Sequence, residues 1–296
     1  MYQQRDFGEK ITATFLFVRE NWKPLLKYVT LFMLPVSVLQ GLFMNSTISE
    51  SMIIGATEDM DVAAFFTGYA GTLLCSAVGG LMFYALFYAL LGAYGRREER
   101  LAGITWSDLS PDFFTYLKRG LAMVGFVVLL VVVLGFAIGL LAVALPVTLV
   151  VTLPGLLACM VPLSLFTAAY FLDNTSRGLW GSFTWSMRNG FRFWGGTFLV
   201  LLVCYLLTSI VSGVFSVPWY VIYVFRVLVP ELRGEGVVVG GVVINILQYF
   251  FGILMAYGSY LASVVLLLGL TFQYGHISEK VDAVTVNDDI DNFETL

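Results

Sequence analysis

Three arginines, Arg177, Arg188 and Arg192, are interleaved with three tryptophans, Trp180, Trp185 and Trp194. A guanidinium presents a planar fork of donors that matches a phosphate or carboxylate. An indole rests at a membrane–water boundary with its N–H in the wet layer. This set suits the anionic headgroup of a lipid, with Arg177, Arg188, Arg192, Trp180 and Trp194 as the contact candidates. Ordinary anchoring by basic and aromatic residues uses the same types and stays open beside it. A second polar pair, Asn245 and Gln248, lies three residues apart in an apolar stretch. Amides there must find partners, either on a neighbouring helix or on a polar substrate.

Other chemistry is poorly supplied. His276 is the sole histidine, so neither a metal site nor a Ser-His-Asp set can be built around it. Cys75, Cys159 and Cys204 sit at irregular intervals in apolar runs and read as packing residues. No acid falls in mid-span, which argues against a carboxylate relay, and Lys27 and Arg226 are expected near enough to span ends to reach the interface. No catalytic residue, metal or cofactor is expected, and no basic face fits nucleic acid.

The elements that carry these residues follow from one stretch. From Gly120 to Leu172, 53 residues pass without a charged side chain. As one helix they would extend roughly 80 Å, against a hydrocarbon core of about 30 Å. Two spans, 120–143 and 153–172, folded back between Ala144 and Thr152, use that length. The whole chain of 296 residues is 59% hydrophobic and 12% charged, with a mean hydropathy of +0.87. Soluble domains carry about 25% charge. An all-α integral membrane protein follows, with six spans at about 24–44, 68–94, 120–143, 153–172, 197–216 and 242–268.

Each pair of spans is preceded by an amphipathic segment, at 7–22, 105–119 and 176–194. In the last, Trp180, Phe183, Met187, Phe191 and Trp194 fall within about 80° of one another at 100° per residue, and the arginines share an adjoining arc. Asp173 and Asn174 are placed to cap it. Pro35 is expected to kink the first span, and Pro218 to bend or end the fifth. Gly71, Cys75 and Gly79, and also Gly135 and Gly139, form rows of small residues that admit close helix contact. Three hairpins with three entry segments suggest an internal repeat, although any six-span chain needs such segments.

Orientation comes from the basic residues. Fourteen of the 16 Lys and Arg lie before or early in span one, between Arg96 and Arg119, between Arg177 and Arg192, or at Lys280. Only Arg226 and Arg233 lie on the other side. Both termini are therefore expected in the cytoplasm. No short apolar region with a cleavage site follows the polar N-terminus, so the first span is expected to be the insertion signal. Residues 1–274 form the membrane domain, and 275–296 an acidic tail, either disordered or a docking segment.

The stretch from Ala168 to Phe198, "AAYFLDNTSRGLWGSFTWSMRNGFRFWGGTF", runs from a span through an acidic residue into a Ser/Arg/Trp helix and the next span. With "FGEKITATFLFVRENWKPLL" at the start and "TFQYGHISEKVD" near the end, it resembles a group of bacterial six-span inner-membrane proteins. That group is related to the membrane domain attached to some glycerophosphodiester phosphodiesterases. The soluble catalytic barrel has no counterpart here, so the resemblance implies an inner-membrane scaffold or helper in envelope or lipid processes. The expectation is a non-enzymatic protein binding membrane lipids, with a membrane-protein partner or a second copy left open. A transporter for a lipophilic or amphipathic substrate is the competing class.

Overall fold

The computed structural model describes residues 2–54, 62–172, 177–233 and 242–284, the side chains of 48–54, 144, 146, 149 and 227–233 excepted. The cap at Asp173–Asn174 and the end of the acidic tail lie outside them. The described residues form α1 (Phe7–Ile54), α2 (Val62–Arg96), α3 (Trp106–Ala144), α4 (Leu149–Leu163), α5 (Phe166–Phe171), α6 (Gly178–Arg192), α7 (Trp194–Arg233) and α8 (Val242–Asp282). A 3₁₀ turn at Pro146–Thr148 closes the α3–α4 hairpin, inside the segment where the fold-back is expected. Six helical stretches are long and apolar enough to cross a membrane, and the chain is an all-α multi-pass membrane protein.

The helices outrun the spans they contain. A 40-residue α7 extends about 60 Å at about 1.5 Å per residue, twice the hydrocarbon thickness. The first entry segment is the beginning of α1, set off by a kink at Asn21, whose φ of −116° and ψ of 17° leave the helical region. Pro24 explains it: a proline three residues on removes a helical N–H and crowds the Glu20 carbonyl. Asn21 Nδ2 donates to the Phe17 carbonyl at 2.9 Å, satisfying an acceptor at the bend. The second entry segment runs without a break into α3. Its start is fixed by Asp108, whose carboxylate accepts from the Thr105 N–H and hydroxyl, both at 2.9 Å. Those bonds hold the carboxyl below its ordinary range. The third segment, α6, stands alone, with Phe193 as a non-helical joint before α7.

The prolines within α1 and α7 do not end those helices. Helical dihedrals continue through Pro35 in α1, and α7 continues past Pro218 to Arg233. Membrane helices accommodate proline where nearby groups and small adjustments satisfy the freed carbonyl. The helix that does break is span four, where Ser164 and Leu165 separate α4 from α5, two residues after Pro162. The expected boundary at residue 274 falls within α8, which continues to Asp282 with Ile277 fully buried.

The chain divides into two compact units. One comprises Met1–Trp22, Phe87–Leu206 and Val265–Leu296; the other comprises Lys23–Leu86 and Leu207–Val264. The first contains α3 to α6 whole. Its core is Leu165, Ala168, Ala169, Tyr274 and Ile277, with Tyr2, Leu172, Trp185 and Phe193 packed against it. The α3–α4 hairpin in this unit is apolar on every side and largely exposed, Val143 at 85% for instance, as a lipid-facing hairpin must be.

In the second unit the helices are tied by side-chain hydrogen bonds: Gln40 to Ser76 at 3.0 Å, Tyr260 to Gln40 at 3.3 Å, and Ser212 with Ser259 at 3.1 Å. The small-residue row on α2 meets neighbours closely. A Cβ on Gly71 would lie 2.3 Å from the Phe43 ring, and one on Gly79 would lie 2.7 Å from Val36 Cγ1. At Gly135 and Gly139 of the exposed hairpin nothing lies within 4 Å, so that row makes no such contact among the described residues.

Candidate functional site

Helix α6 turns its small and polar face inward. Ser182, Ser186 and Asn189 are buried together with Gly190, while Trp180 is 64% exposed. Of the aromatic stripe visible in the sequence, Trp180 and Phe191 are exposed and Phe183, Met187 and Trp194 half-buried, so the most buried face is the small, polar one, unlike that of a soluble amphipathic helix. The inner face seats on the break in span four. Ser186 Oγ donates to the Pro162 carbonyl at 2.7 Å, and a Cβ on Gly190 would come within 2.5 Å of the Pro162 Cα. Glycine and serine here allow the helix backbones to approach.

That seating brings a third face of α6 against the end of α8. A cavity of about 400 Å³ lies there, lined by Arg177, Arg188 and Arg192, by Trp185 and Asn189, and by Asp282 of α8 among others. Positions 181, 185, 188 and 192 recur at helical spacing, so a single face presents the two later guanidinium groups. Arg177 pairs with Asp282 at 3.2 Å, and the Trp185 indole N–H donates to the same carboxylate at 3.1 Å. The Arg177 guanidinium also lies 5.5 Å from the Trp185 ring centroid. Arg188 and Arg192 are exposed and have no carboxylate partner among the described residues, Arg192 lying 5.5 Å over the Phe193 ring. Among the described residues, three cations against one anion leave the cavity positive.

The structure thus gathers Arg177, Arg188 and Arg192 in one place and leaves Trp180 and Trp194 out of it. Trp180 packs on Phe126 and Phe183, with centroids 6.1 and 5.5 Å away. Trp194 donates to the Ala158 carbonyl at 3.0 Å and stacks on Phe198. Trp185 takes the place expected of them, and Asp282 lies 97 residues beyond it in sequence. Among the described residues no three His, Cys, Asp or Glu side chains gather to hold a metal ion.

The polar pair of span six also separates. Asn245 is half-buried and makes no hydrogen bond among the described residues, whereas Gln248 is 1% exposed and accepts a short bond from Arg226. Arg226, expected to reach the interface, is 8% exposed. The sequence offers no hint of that pairing, because the two lie on different helices, 22 residues apart.

A second group of bases surrounds the N-terminal segment in the first unit. The Arg5 backbone N–H donates to His276 Nδ1 at 3.0 Å. An accepting Nδ1 requires a neutral imidazole protonated at Nε2. Burial, reinforced by Lys10, Lys280 and Arg5, lowers the His276 pKa to about 4. Burial likewise lowers Lys10 to about 8, with Lys280 adding to it. Both groups lie outside the expected spans, at 24–44 and 242–268.

No protein-family model, no curated protein and no solved structure matches the chain.

Proposed function

We propose that this multi-pass protein is a non-enzymatic component of a bacterial inner membrane that holds an anionic lipid headgroup in the α6 cavity. The observation that carries the reading is that Arg188 and Arg192, without carboxylate partners among the described residues, line the same cavity as Arg177 and Trp185. A phosphate is the natural complement: it accepts from both guanidinium groups, and Asp282 already engages Arg177 and the indole. The exposed aromatic face of α6, with Trp180 outermost, would sit among headgroups and bring the cavity to their level. The basic bias supports a cytoplasmic position for α6 and both termini, at the leaflet where anionic lipid meets a polybasic surface.

The reading supports a scaffold or helper in envelope processes, in line with the resemblance to six-span inner-membrane proteins. Its test is titration of the purified protein, in an uncharged detergent, with headgroup-labelled phosphatidylglycerol. Replacing both Arg188 and Arg192 by alanine should weaken binding at least tenfold and leave phosphatidylcholine binding unaltered. Equal phosphatidylglycerol affinity in both proteins would remove the proposal.

A further inference from the structure

Gln248 and Arg226 belong to a second polar centre, in the unit formed by Lys23–Leu86 and Leu207–Val264. Three helices meet there. Asn45 of α1 donates from Nδ2 to the Gly41 carbonyl at 2.8 Å and to the Gln248 carbonyl at 3.4 Å. Its Oδ1 accepts from the Trp219 indole of α7 at 3.4 Å. Gly252 of α8 makes this approach feasible, since a Cβ there would stand 2.8 Å from Asn45 Nδ2. Asn45 thus spends one donor on its own helix, the other on α8 and its acceptor on α7, and Arg226 reaches across to donate from Nη1 to Gln248 Oε1.

What remains is one-sided. Arg226 Nε and Gln248 Nε2 are sealed from solvent and have no acceptor among the described residues, in side chains whose residues are 8% and 1% exposed. Both are donors. With Nη1 spent on Gln248, the edge of the guanidinium formed by Nε and Nη2 is left without an acceptor among the described residues. That edge carries two parallel N–H groups at the spacing of carboxylate or phosphate oxygens. A guanidinium stays protonated, and a buried cation is stable only when an anion or several acceptors face it. No carboxylate among the described residues does so.

We propose that Arg226 and Gln248 form an oxyanion site within the membrane-embedded part of the chain, separate from the α6 cavity. Its ligand is a carboxylate or phosphate, seated on the Nε–Nη2 edge of Arg226 and accepting a further bond from Gln248 Nε2. The long apolar exposure of the surrounding helices, Phe225 and Phe250 included, fits an amphipathic ligand whose head enters and whose tail stays in lipid. A free inorganic anion shares the head chemistry.

The test uses full-length protein carrying Arg188→Ala and Arg192→Ala, so that the first site is silent and failure of either proposal reads separately. Calorimetry in an uncharged detergent compares octyl phosphate, below its micelle concentration, with inorganic phosphate. The expected result is saturable binding of octyl phosphate, weakened at least tenfold by Arg226→Gln and severalfold by Gln248→Met. Arg226→Lys, which keeps the charge and loses the paired edge, should also bind weakly. Equal Arg226-dependent binding of inorganic phosphate would assign the site to the free ion. Unchanged affinity in the Arg226 variants, or no saturable binding of either probe, would overturn the proposal. Should the variants not fold, the melting temperature of the starting protein decides: it must rise saturably with octyl phosphate, and a flat response overturns the site.

Discussion

The indole N–H of Trp185 and the carboxylate of Asp282 are joined at 3.1 Å, and that bond fastens the end of α8 to the arginine-bearing face of α6. The same carboxylate takes the Arg177 guanidinium at 3.2 Å, so Asp282 both builds the cavity and neutralises part of its charge. Those roles have opposite consequences for an anionic ligand. Asp282→Asn keeps an acceptor for the indole while removing the competing charge. It should therefore raise phosphatidylglycerol affinity severalfold, with a melting-temperature loss of a few degrees or less, because a partly exposed ion pair contributes about 0–1 kcal/mol. Titration with labelled lipid checks this; a fall in affinity would mean that Asp282 does not compete with the ligand.

The seating of α6 depends on Gly190 and Ser186 together, and the two should fail to different degrees. Gly190→Ala puts a methyl within 2.5 Å of the Pro162 backbone, an overpacking that costs about 1–3 kcal/mol. Ser186→Ala removes one buried bond to the Pro162 carbonyl, which between membrane helices averages about 0.6 kcal/mol. Thermal unfolding followed by size-exclusion chromatography should rank Gly190→Ala as the more damaging. The reverse order would mean that Pro162 yields easily and the hydrogen bond does not.

The buried bases predict how stability depends on pH. His276 takes up a proton near 6.5 when unfolded and only near 4 in the fold, so between those values the unfolded chain binds more protons. Stability is therefore undiminished above about pH 6.5 and falls as pH drops toward 4. Lys10 acts in the same direction higher up: stability should rise with pH between about 8 and its ordinary value of 10.5. Melting temperatures across pH 4–10 check both. His276→Gln should flatten the acid limb, and Lys10→Met the alkaline one.

The membrane class was legible because charge is excluded from whole segments, and the turn between spans three and four fell inside the expected fold-back. Helix continuity was harder to read. Pro24, Pro35, Pro162 and Pro218 are alike in sequence, yet non-helical dihedrals precede Pro24 and an interruption follows Pro162, while the helix runs on past Pro35 and Pro218. The difference lies in which neighbouring groups satisfy the freed carbonyls, and that is a tertiary property. Periodicity found α6 and its arginines, and the cavity they line takes Trp185 in place of Trp180 and Trp194. The aromatic stripe is exposed at Trp180 and Phe191 and half-buried between, while small residues make the seat. Asp282 and the Arg226–Gln248 pair were out of reach for another reason: their contacts join distant parts of the chain, and no spacing rule connects them.

The central claim is that the α6 cavity selects an anionic headgroup through Arg188 and Arg192. Native mass spectrometry of the intact protein, offered phosphatidylglycerol and phosphatidylcholine in equal amounts, tests it most directly. The account predicts a retained phosphatidylglycerol adduct on the wild-type protein, and its loss in Arg188→Gln/Arg192→Gln. Equal retention of the two lipids by the wild-type protein, or an adduct undiminished in the variant, would contradict it.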